Sequence, residues 1–177
     1  MYPFLRTALV MRRARRRPAL PVDGLSELRL TCWPIDVDVY AEMNNGRVLT
    51  LYDLGRLDHA VRTGLTGEAR RRRWGFAVGG ASVRYRRRVR PFDRVTLLTR
   101  PLGRDDRWFY MHQAMRVRGE AVSAALLRLA VTTRSGIVPT DAVVASMGAP
   151  DWRPALPDWA EAWIEAEDRR PWPPDLT

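Results

Sequence analysis

A carboxylate and the start of a helix lie close together in one short segment, residues 36–48. Asp38 precedes the stretch Asn44-Asn45-Gly46, which opens a long amphipathic segment. The first N–H groups of a helix have no partner within it and carry a partial positive charge. An acid facing them could perform acyl chemistry, either by attacking a carbonyl carbon or by activating a water that attacks. The same residues could also form an ordinary helix cap.

Length and composition predict one globular domain with a substantial core. The chain has 177 residues, and a chain of about 150 residues buries roughly 70% of its unfolded surface. Its single cysteine, Cys32, excludes an intramolecular disulfide and fits a reducing compartment. No apolar run reaches the roughly 20 residues of a membrane span. The stretch from Phe4 to Met11 is interrupted by Arg6 and lacks a secretory cleavage site. We therefore expect a cytoplasmic protein.

The charge favours anionic partners. The formal net charge is +10, and every basic residue other than the two histidines is arginine. Coenzyme A phosphates, an acidic carrier protein, a membrane surface or nucleic acid would all be attracted. Aromatic residues do not alternate with the arginines as a base-stacking surface requires, so we do not expect nucleic acid.

Residues 1–17 read as a short basic amphipathic helix. Apolar positions including Leu5 and Leu9 alternate with arginines and end in Arg15-Arg16-Arg17. Such a helix could make weak contact with an anionic membrane, which would make the protein membrane-associated. It could equally dock on the body of the protein.

The hydrophobic period changes once along the chain. Residues 45–64 follow helical spacing, and the later segments alternate with a period of two. The predicted strands are Leu25–Trp33, Ala81–Val89, Val95–Arg100, Trp108–Arg118 and Val122–Arg134. We predict an α+β protein in which an antiparallel meander follows and wraps one helix. Exposed sheet edges favour a homodimer or tetramer.

The segments divide the chain into three parts. Residues 1–24 form the N-terminal segment and a linker, residues 25–148 the central domain, and residues 149–177 a tail. A short peripheral helix is predicted over residues 157–168.

Several motifs resemble a known family. Asp36 to Asp38, followed by Met43-Asn44-Asn45-Gly46-Arg47, resembles the hotdog-fold acyl-CoA thioesterases of the 4-hydroxybenzoyl-CoA thioesterase type, within their thioesterase-like branch. Residues 54–58, 83–93 and 107–110 are similar to that branch too, and the resemblance covers about residues 25–135. It implies a curled antiparallel sheet around one long central helix, and hydrolysis of an acyl-CoA or acyl-carrier-protein thioester. It implies no metal and no organic cofactor besides the coenzyme A of the substrate.

The resemblance also assigns roles. The family's catalytic acid corresponds to Asp38, and the backbone N–H that polarises the thioester carbonyl corresponds to Asn45. Three positions depart from the family pattern: Ala41 replaces a glycine, Glu42 a histidine and Val48 a tyrosine. Glu42 is therefore a second candidate carboxylate, although it could be an exposed loop acid.

The remaining candidates have structural alternatives. Asn44 and Gly46 are candidates for substrate binding, but asparagine is also a common helix cap. Arg87, Arg88 and Arg90 could contact coenzyme A, but arginine runs are often solvated. Asp53 and Arg56 are spaced for a local ion pair, and His59 and His112 are too far apart to suggest a metal site.

A non-catalytic hotdog protein is the main rival. It would bind acyl thioesters or a protein partner, and the departures at Ala41, Glu42 and Val48 are what it predicts.

Overall fold

A computed structural model describes residues 3–174 of the chain. Its helices are α1 (Phe4–Ala14), α2 (Asn45–Arg62), α3 (Leu65–Arg72), α4 (Thr140–Ser146) and α5 (Asp158–Arg169). Its strands are β1 (Ser26–Thr31), β2 (Gly75–Tyr85), β3 (Arg94–Arg104), β4 (Phe109–Val117), β5 (Glu120–Thr133) and β6 (Gly136–Ile137). A short 3-10 turn, Pro34–Asp36, precedes α2. The predicted α+β class is confirmed, whereas α3, α4 and β6 were not predicted.

All six strands form one antiparallel sheet. Its order is β1-β3-β4-β5-β2, and β6 pairs with β5. The predicted meander is therefore correct only for β3, β4 and β5, which are joined by short turns. β2 does not pair with β3, which follows it in sequence, but crosses to the far edge beside β5. Pairing between distant strands depends on long-range contacts, which local periodicity does not report.

The bounds of β2 correct the predicted strand Ala81–Val89. β2 begins at Gly75 and ends at Tyr85, so Arg86 to Arg88 lie in the following loop. The Gly79-Gly80 pair lies inside the strand, at an irregularity in the pairing with β5. A Cβ atom on Gly79 would lie 2.4 Å from the Trp108 ring, so the ring requires glycine there.

α2 packs against one face of the sheet and forms the core with it. Leu51, Tyr52 and Leu54 are completely buried. Gly55 allows the close approach, because a Cβ atom there would lie 2.7 Å from the Thr99 hydroxyl oxygen on β3. The helix is thereby held against β3 in a fixed position, and its first turn lies at the end of the sheet near the β2–β3 loop.

α1 is the predicted N-terminal helix, and one side of it is docked on the body. Val10 and Ala14 are buried, and Arg6 Nη1 lies 2.8 Å from Oδ2 of the buried Asp36. Just beyond the helix, Arg17 lies 3.5 Å from the buried Asp58. The opposite side of α1 faces solvent, so this helix combines a packed face with an exposed one.

α5 covers the other face of the sheet. Ala160 is buried against Leu102, Tyr110 and Leu126. The predicted peripheral helix is thus present, and it shields the sheet face that α2 does not cover.

Candidate functional site

The loop before α2 is a small hairpin. The N–H of Asn44 donates to Asp36 O at 3.0 Å, and the N–H of Asp38 donates to Glu42 O at 2.8 Å. Between these bonds, Val37 and Met43 form a β-bridge. The Met43 N–H also donates to Val89 O at 2.8 Å, which fixes the hairpin to the β2–β3 loop. The sequence between β1 and α2 is therefore an ordered element that positions both candidate acids.

The backbone conformation of Ala41 fits the glycine that the resemblance implies at this position. Ala41 has φ +55°, in the left-handed region that favours glycine. Its N–H donates to Asp38 O at 3.1 Å and closes the turn at the hairpin tip. A three-residue hairpin loop commonly ends with a residue in this conformation. The chain keeps the family's turn with a residue that is strained in it.

Asp38 holds this turn with its side chain. Its Oδ1 accepts a hydrogen bond from the Tyr40 N–H at 2.9 Å, and the residue is half-buried. Aspartate is favoured at the first position of such turns for this reason. The turn-capping role left open by the sequence is thus present in the geometry. It occupies one carboxylate oxygen, and the other retains its capacity to accept a proton.

The start of α2 follows the sequence prediction closely. Asn44 is the N-cap, and its Oδ1 accepts the Gly46 N–H at 2.9 Å. Asn45 is the first helical residue, so its N–H has no acceptor within the helix. Asn44 and Gly46 therefore have a structural function, as the cap and as the donor to it. Asn45 is exposed, and its N–H lies at the positive end of the helix dipole.

A cavity of about 260 Å³ opens beside this helix start. It is bounded by the hairpin, the first turn of α2, the end of β2 and the start of β5. Its lining consists of Glu42, Met43, Asn45, Val48, Tyr85, Arg86, Arg87, Arg88, Val89, Val122 and Ser123. Three consecutive arginines and a helix N-terminus make this cavity suitable for an anionic or carbonyl-containing ligand.

The charged side chains at this cavity are partly paired. Arg88 Nε lies 3.0 Å from Glu42 Oε1, and Arg87 forms an ion pair with Glu120. The backbone N–H of Arg90 donates to Asp93 Oδ2 at 2.8 Å. The arginine side chains at positions 87 and 88 are largely exposed, so water screens these pairs and a ligand phosphate could replace a carboxylate.

The cavity brings together four of the eight predicted site residues. Glu42, Asn45, Arg87 and Arg88 line it, and Asp38, Asn44, Gly46 and Arg90 do not. Asp38 is nevertheless joined to the cavity wall, because its N–H donates a hydrogen bond to the carbonyl oxygen of Glu42. The catalytic and binding roles assigned to these residues remain predictions.

A second, larger cavity of about 380 Å³ lies along the rest of α2. Its walls are mostly apolar and include Leu57, Phe76, Met111, Leu129 and Trp152. Asp53 and Arg56 provide charged groups there, and Arg56 Nη2 lies 3.1 Å from Asp53 Oδ1, which confirms the predicted local ion pair. His59 also lines this cavity.

Burial keeps the His59 ring neutral. The pKa of His59 is lowered to about 4, mainly by desolvation and also by the nearby Arg62, against the opposing effects of Gly24 and Asp58. Its Nε2 lies 3.0 Å from Gly24 O and donates to it in the matching tautomer. His59 is therefore a structural link between α2 and the linker after α1.

Sequence reasoning missed a buried polar network under the larger cavity. The Gln113 side chain donates to Tyr52 O and to the Thr99 hydroxyl, each at 2.8 Å. Its Oε1 accepts from Arg56 Nη1 at 2.7 Å. A signal was available, because Gln113 is the polar member of an otherwise apolar alternation, Phe109, Met111 and Met115, on the inward face of β4.

Residues 3–174 are the part of the chain that the structure describes. This part of the chain contains no group of three or more histidine, cysteine, aspartate or glutamate side chains that could hold a metal ion. None of the helices within the same residues is long and apolar enough to cross a bilayer.

Comparison with known proteins identifies the family. Residues 32–175 match the model of the thioesterase-like superfamily. This chain belongs to that superfamily. Protein THEM6 from Xenopus laevis is 32% identical to it over 171 residues, which cover 93% of this chain and 80% of the frog protein.

Solved structures agree on the fold of this thioesterase-like chain. YbaW, a probable thioesterase from Escherichia coli, has a TM-score of 0.64 at 16% identity, over 72% of this chain and 98% of its own. The DHNA-CoA thioesterase from Staphylococcus aureus has a TM-score of 0.62 at 15% identity, over 81% and 91%. The predicted hotdog fold, a curled antiparallel sheet around one central helix, is confirmed.

Proposed function

We propose that this protein hydrolyses the thioester of an acyl-CoA or an acyl-carrier protein. One observation carries the proposal: in a thioesterase-like chain, Asn45, the first residue of α2, lines an arginine-lined cavity. Negative charge develops on a thioester carbonyl oxygen during attack, and a fixed N–H at the positive end of a helix stabilises it.

Asp38 is the proposed acid. It would attack the thioester carbon as a nucleophile, or remove a proton from the attacking water. The hairpin holds it next to Glu42 at the edge of the cavity. Neither route uses a metal or an organic cofactor.

The arginines account for the polar part of the substrate. Arg87 and Arg88 line the cavity and Arg90 follows them in the same loop. Guanidinium groups bind phosphate oxygens through two parallel hydrogen bonds. A phosphate of coenzyme A, or of the phosphopantetheine arm of a carrier protein, would displace Glu42 and Glu120 from their exposed ion pairs.

The larger cavity suits the acyl group. It lies along the same helix and is walled mainly by apolar side chains. Asp53 lies eight residues after Asn45, so the rise of the helix separates them by about 12 Å along its axis. An acyl group that extends from the helix start toward Asp53 and beyond would be buried in this cavity.

Assembly is part of the proposal. β2 is an edge strand of the sheet, and Phe76, Val78 and Tyr85 on it are exposed. Unpaired edges of this kind commonly pair with a second chain. A homodimer formed through β2 would cover the cavities that border this strand.

A non-catalytic, thioester-binding role is the second candidate. Two observations favour it: the Asp38 side chain is already used by its own turn, and Glu42 places a negative charge in the cavity. In this case the arginines and the helix start would bind the ligand without turnover.

Two variants of Asn45 test the hydrolase proposal directly. Asn45→Pro deletes the N–H, and proline is well tolerated at the first position of a helix. The preceding Asn44, with φ −61° and ψ 138°, already has the conformation that a following proline requires. Asn45→Ala keeps the N–H and serves as the matched control.

Thiol release from a chain-length panel of acyl-CoAs is the measurement. We expect Asn45→Pro to lower kcat by about a hundredfold or more, the effect of removing one such donor, while Asn45→Ala stays near the wild type. Equal activity of the two variants would refute the role of this N–H. Binding of acyl-CoA by the wild type without thiol release would support the non-catalytic role.

A further inference from the structure

Exposed apolar side chains are concentrated on three segments of the chain that contact one another. More than half of the large apolar residues that are exposed between residues 3 and 174 lie on α1 or on the loops after β1 and β2. The apolar patch is defined here as Leu5, Trp33, Ile35, Val39, Tyr40 and Phe92. The cavities at α2 do not use any of these side chains.

Short contacts join the three segments that carry the patch. Arg6, next to Leu5, donates to the Asp36 carboxylate at 2.8 Å, and the Trp33 N–H donates to the same carboxylate oxygen at 2.8 Å. The Trp33 and Phe92 rings pack edge to face, with centroids 6.2 Å apart. The Phe92 N–H donates to Cys32 O at 2.7 Å. The patch is thus fixed to the buried Asp36 and is not a set of loose side chains.

The conformation of Phe92 is unusual for an exposed aromatic residue. Its φ is +69°, a left-handed value that is an outlier for a bulky side chain, and 64% of the residue is exposed. Because most of the residue is exposed, burial of the ring offsets little of this strain. Such strain is commonly maintained where the residue contacts a partner.

The charges around the patch select the partner. Arg90 and Arg94 flank Phe92 and are exposed, and Arg12 and Arg13 are exposed in the last turn of α1. Three acids lie near the patch: Asp36 is buried, Asp93 accepts the Arg90 N–H, and the half-buried Asp38 accepts the Tyr40 N–H. The surface therefore combines exposed aromatic and aliphatic side chains with exposed positive charge.

We infer that the apolar patch is a docking surface for an anionic lipid bilayer. Aromatic rings lie at the level of the lipid headgroups, aliphatic side chains enter the acyl region, and arginines pair with anionic headgroups. This surface consists of the basic N-terminal helix and the loops after β1 and β2. The loop after β1 also carries Asp38. Docking would place the start of α2 close to the membrane surface.

Vesicle flotation of the full chain tests this inference, because it does not depend on catalysis. Trp33→Ser and Phe92→Asn are combined in the patch variant. Serine is favoured at the N-cap that Trp33 occupies, and asparagine tolerates the left-handed conformation of Phe92. Trp159→Ser is the matched control, since Trp159 is 52% exposed and Trp33 49%, and it lies on α5.

We expect the wild type to float with phosphatidylglycerol-containing vesicles and much less with phosphatidylcholine alone. The membrane partition coefficient of the patch variant should fall roughly tenfold or more, because the loss of each ring removes apolar area from the contact. Trp159→Ser should float like the wild type. Added salt should weaken binding without abolishing it. A second variant, Ile35→Ser with Val39→Ser, alters only highly exposed side chains and should show the same loss even if the first variant fails to fold.

Three results would overturn the inference. The first is a wild type that does not float with anionic vesicles. The second is an equal loss in Trp159→Ser, or no loss in either patch variant. The third is a patch variant that sediments as a smaller species while its flotation is unchanged, which would make the patch an interface between copies of this chain.

Discussion

The Nε atom of Arg88 lies 3.0 Å from Oε1 of Glu42, across the cavity at the start of α2. Glu42 stands where the family has histidine, and here its charge is engaged by a neighbouring arginine rather than aimed at a catalytic partner. A substrate phosphate that binds Arg88 would have to displace Glu42 from this ion pair.

The first prediction concerns this pair. Glu42→Gln removes the negative charge and keeps the shape, so Arg88 becomes available to an anionic ligand. We expect kcat to stay within a few-fold of the wild type and KM for acyl-CoA to fall. Steady-state thiol release checks both values, with Glu120→Gln as the control that frees Arg87 instead. A severe loss of kcat in Glu42→Gln, with activity retained in Asp38→Asn, would make Glu42 the working acid.

The second prediction concerns the strain at Ala41. Its φ of +55° costs an L-residue about 1 kcal/mol, which glycine avoids, although glycine also has more entropy to lose on folding. Ala41→Gly should therefore be neutral or more stable by about 0.5 kcal/mol. Ala41→Val should be clearly less stable, because a β-branched residue is disfavoured at positive φ. Urea titration measures both, and a stabilising valine would show that the turn is not strained.

Local signals were sufficient for the elements that hold the site. The Asn44-Asn45-Gly46 cap predicted the start of α2, and the period of two predicted strands in the correct regions of β3, β4 and β5. The prediction missed the first half of β2, where Gly79 is required by the ring of Trp108, a residue just before β4. Local sequence does not contain such contacts.

The docking of α1 shows the same limit. Arg6 and Arg17 are ion-paired with buried carboxylates, Asp36 and Asp58, that lie 30 and 41 residues away in the chain. Periodicity predicted an amphipathic helix but could not tell which face would be buried. Deleting residues 1–17 should therefore destabilise the fold, because it leaves two buried acids with fewer partners.

The third prediction concerns pH and His59. Its pKa is lowered to about 4 by burial, against about 6.5 in an unfolded chain. The unfolded state therefore binds more protons between these values, so stability is retained above about pH 6.5 and falls as the pH drops toward 4. His59→Gln can keep the hydrogen bond to Gly24 O without titrating, and should flatten this part of the profile.

Thermal melts of the two proteins between pH 7 and pH 4 measure the effect. The loss attributable to His59 is at most about 3 kcal/mol, from 1.36 kcal/mol per pKa unit. His112→Gln is the comparison, since the pKa of His112 is also lowered by burial and by Arg100. Identical pH profiles for the wild type and His59→Gln would show that His59 is not the responsible group.

The fourth prediction concerns assembly. The exposed edge of β2 should pair with a second copy, so the 20.3 kDa chain should sediment as a dimer or a dimer of dimers. Val78→Arg places a charge on this edge and should shift the equilibrium toward the monomer. Sedimentation velocity at micromolar concentration measures this equilibrium. A wild type that is only monomeric would contradict the proposed dimer and leave the cavities that border β2 uncovered.

The most direct test of the central claim is the turnover of Asp38→Asn. The asparagine Oδ1 can still accept the Tyr40 N–H, so the turn and the melting temperature should be preserved while the negative charge is lost. With the best acyl-CoA of the panel, we expect kcat to fall by about a hundredfold or more, the range of a lost general base. A folded Asp38→Asn protein that releases thiol at nearly the wild-type rate would contradict the claim that Asp38 performs the chemistry.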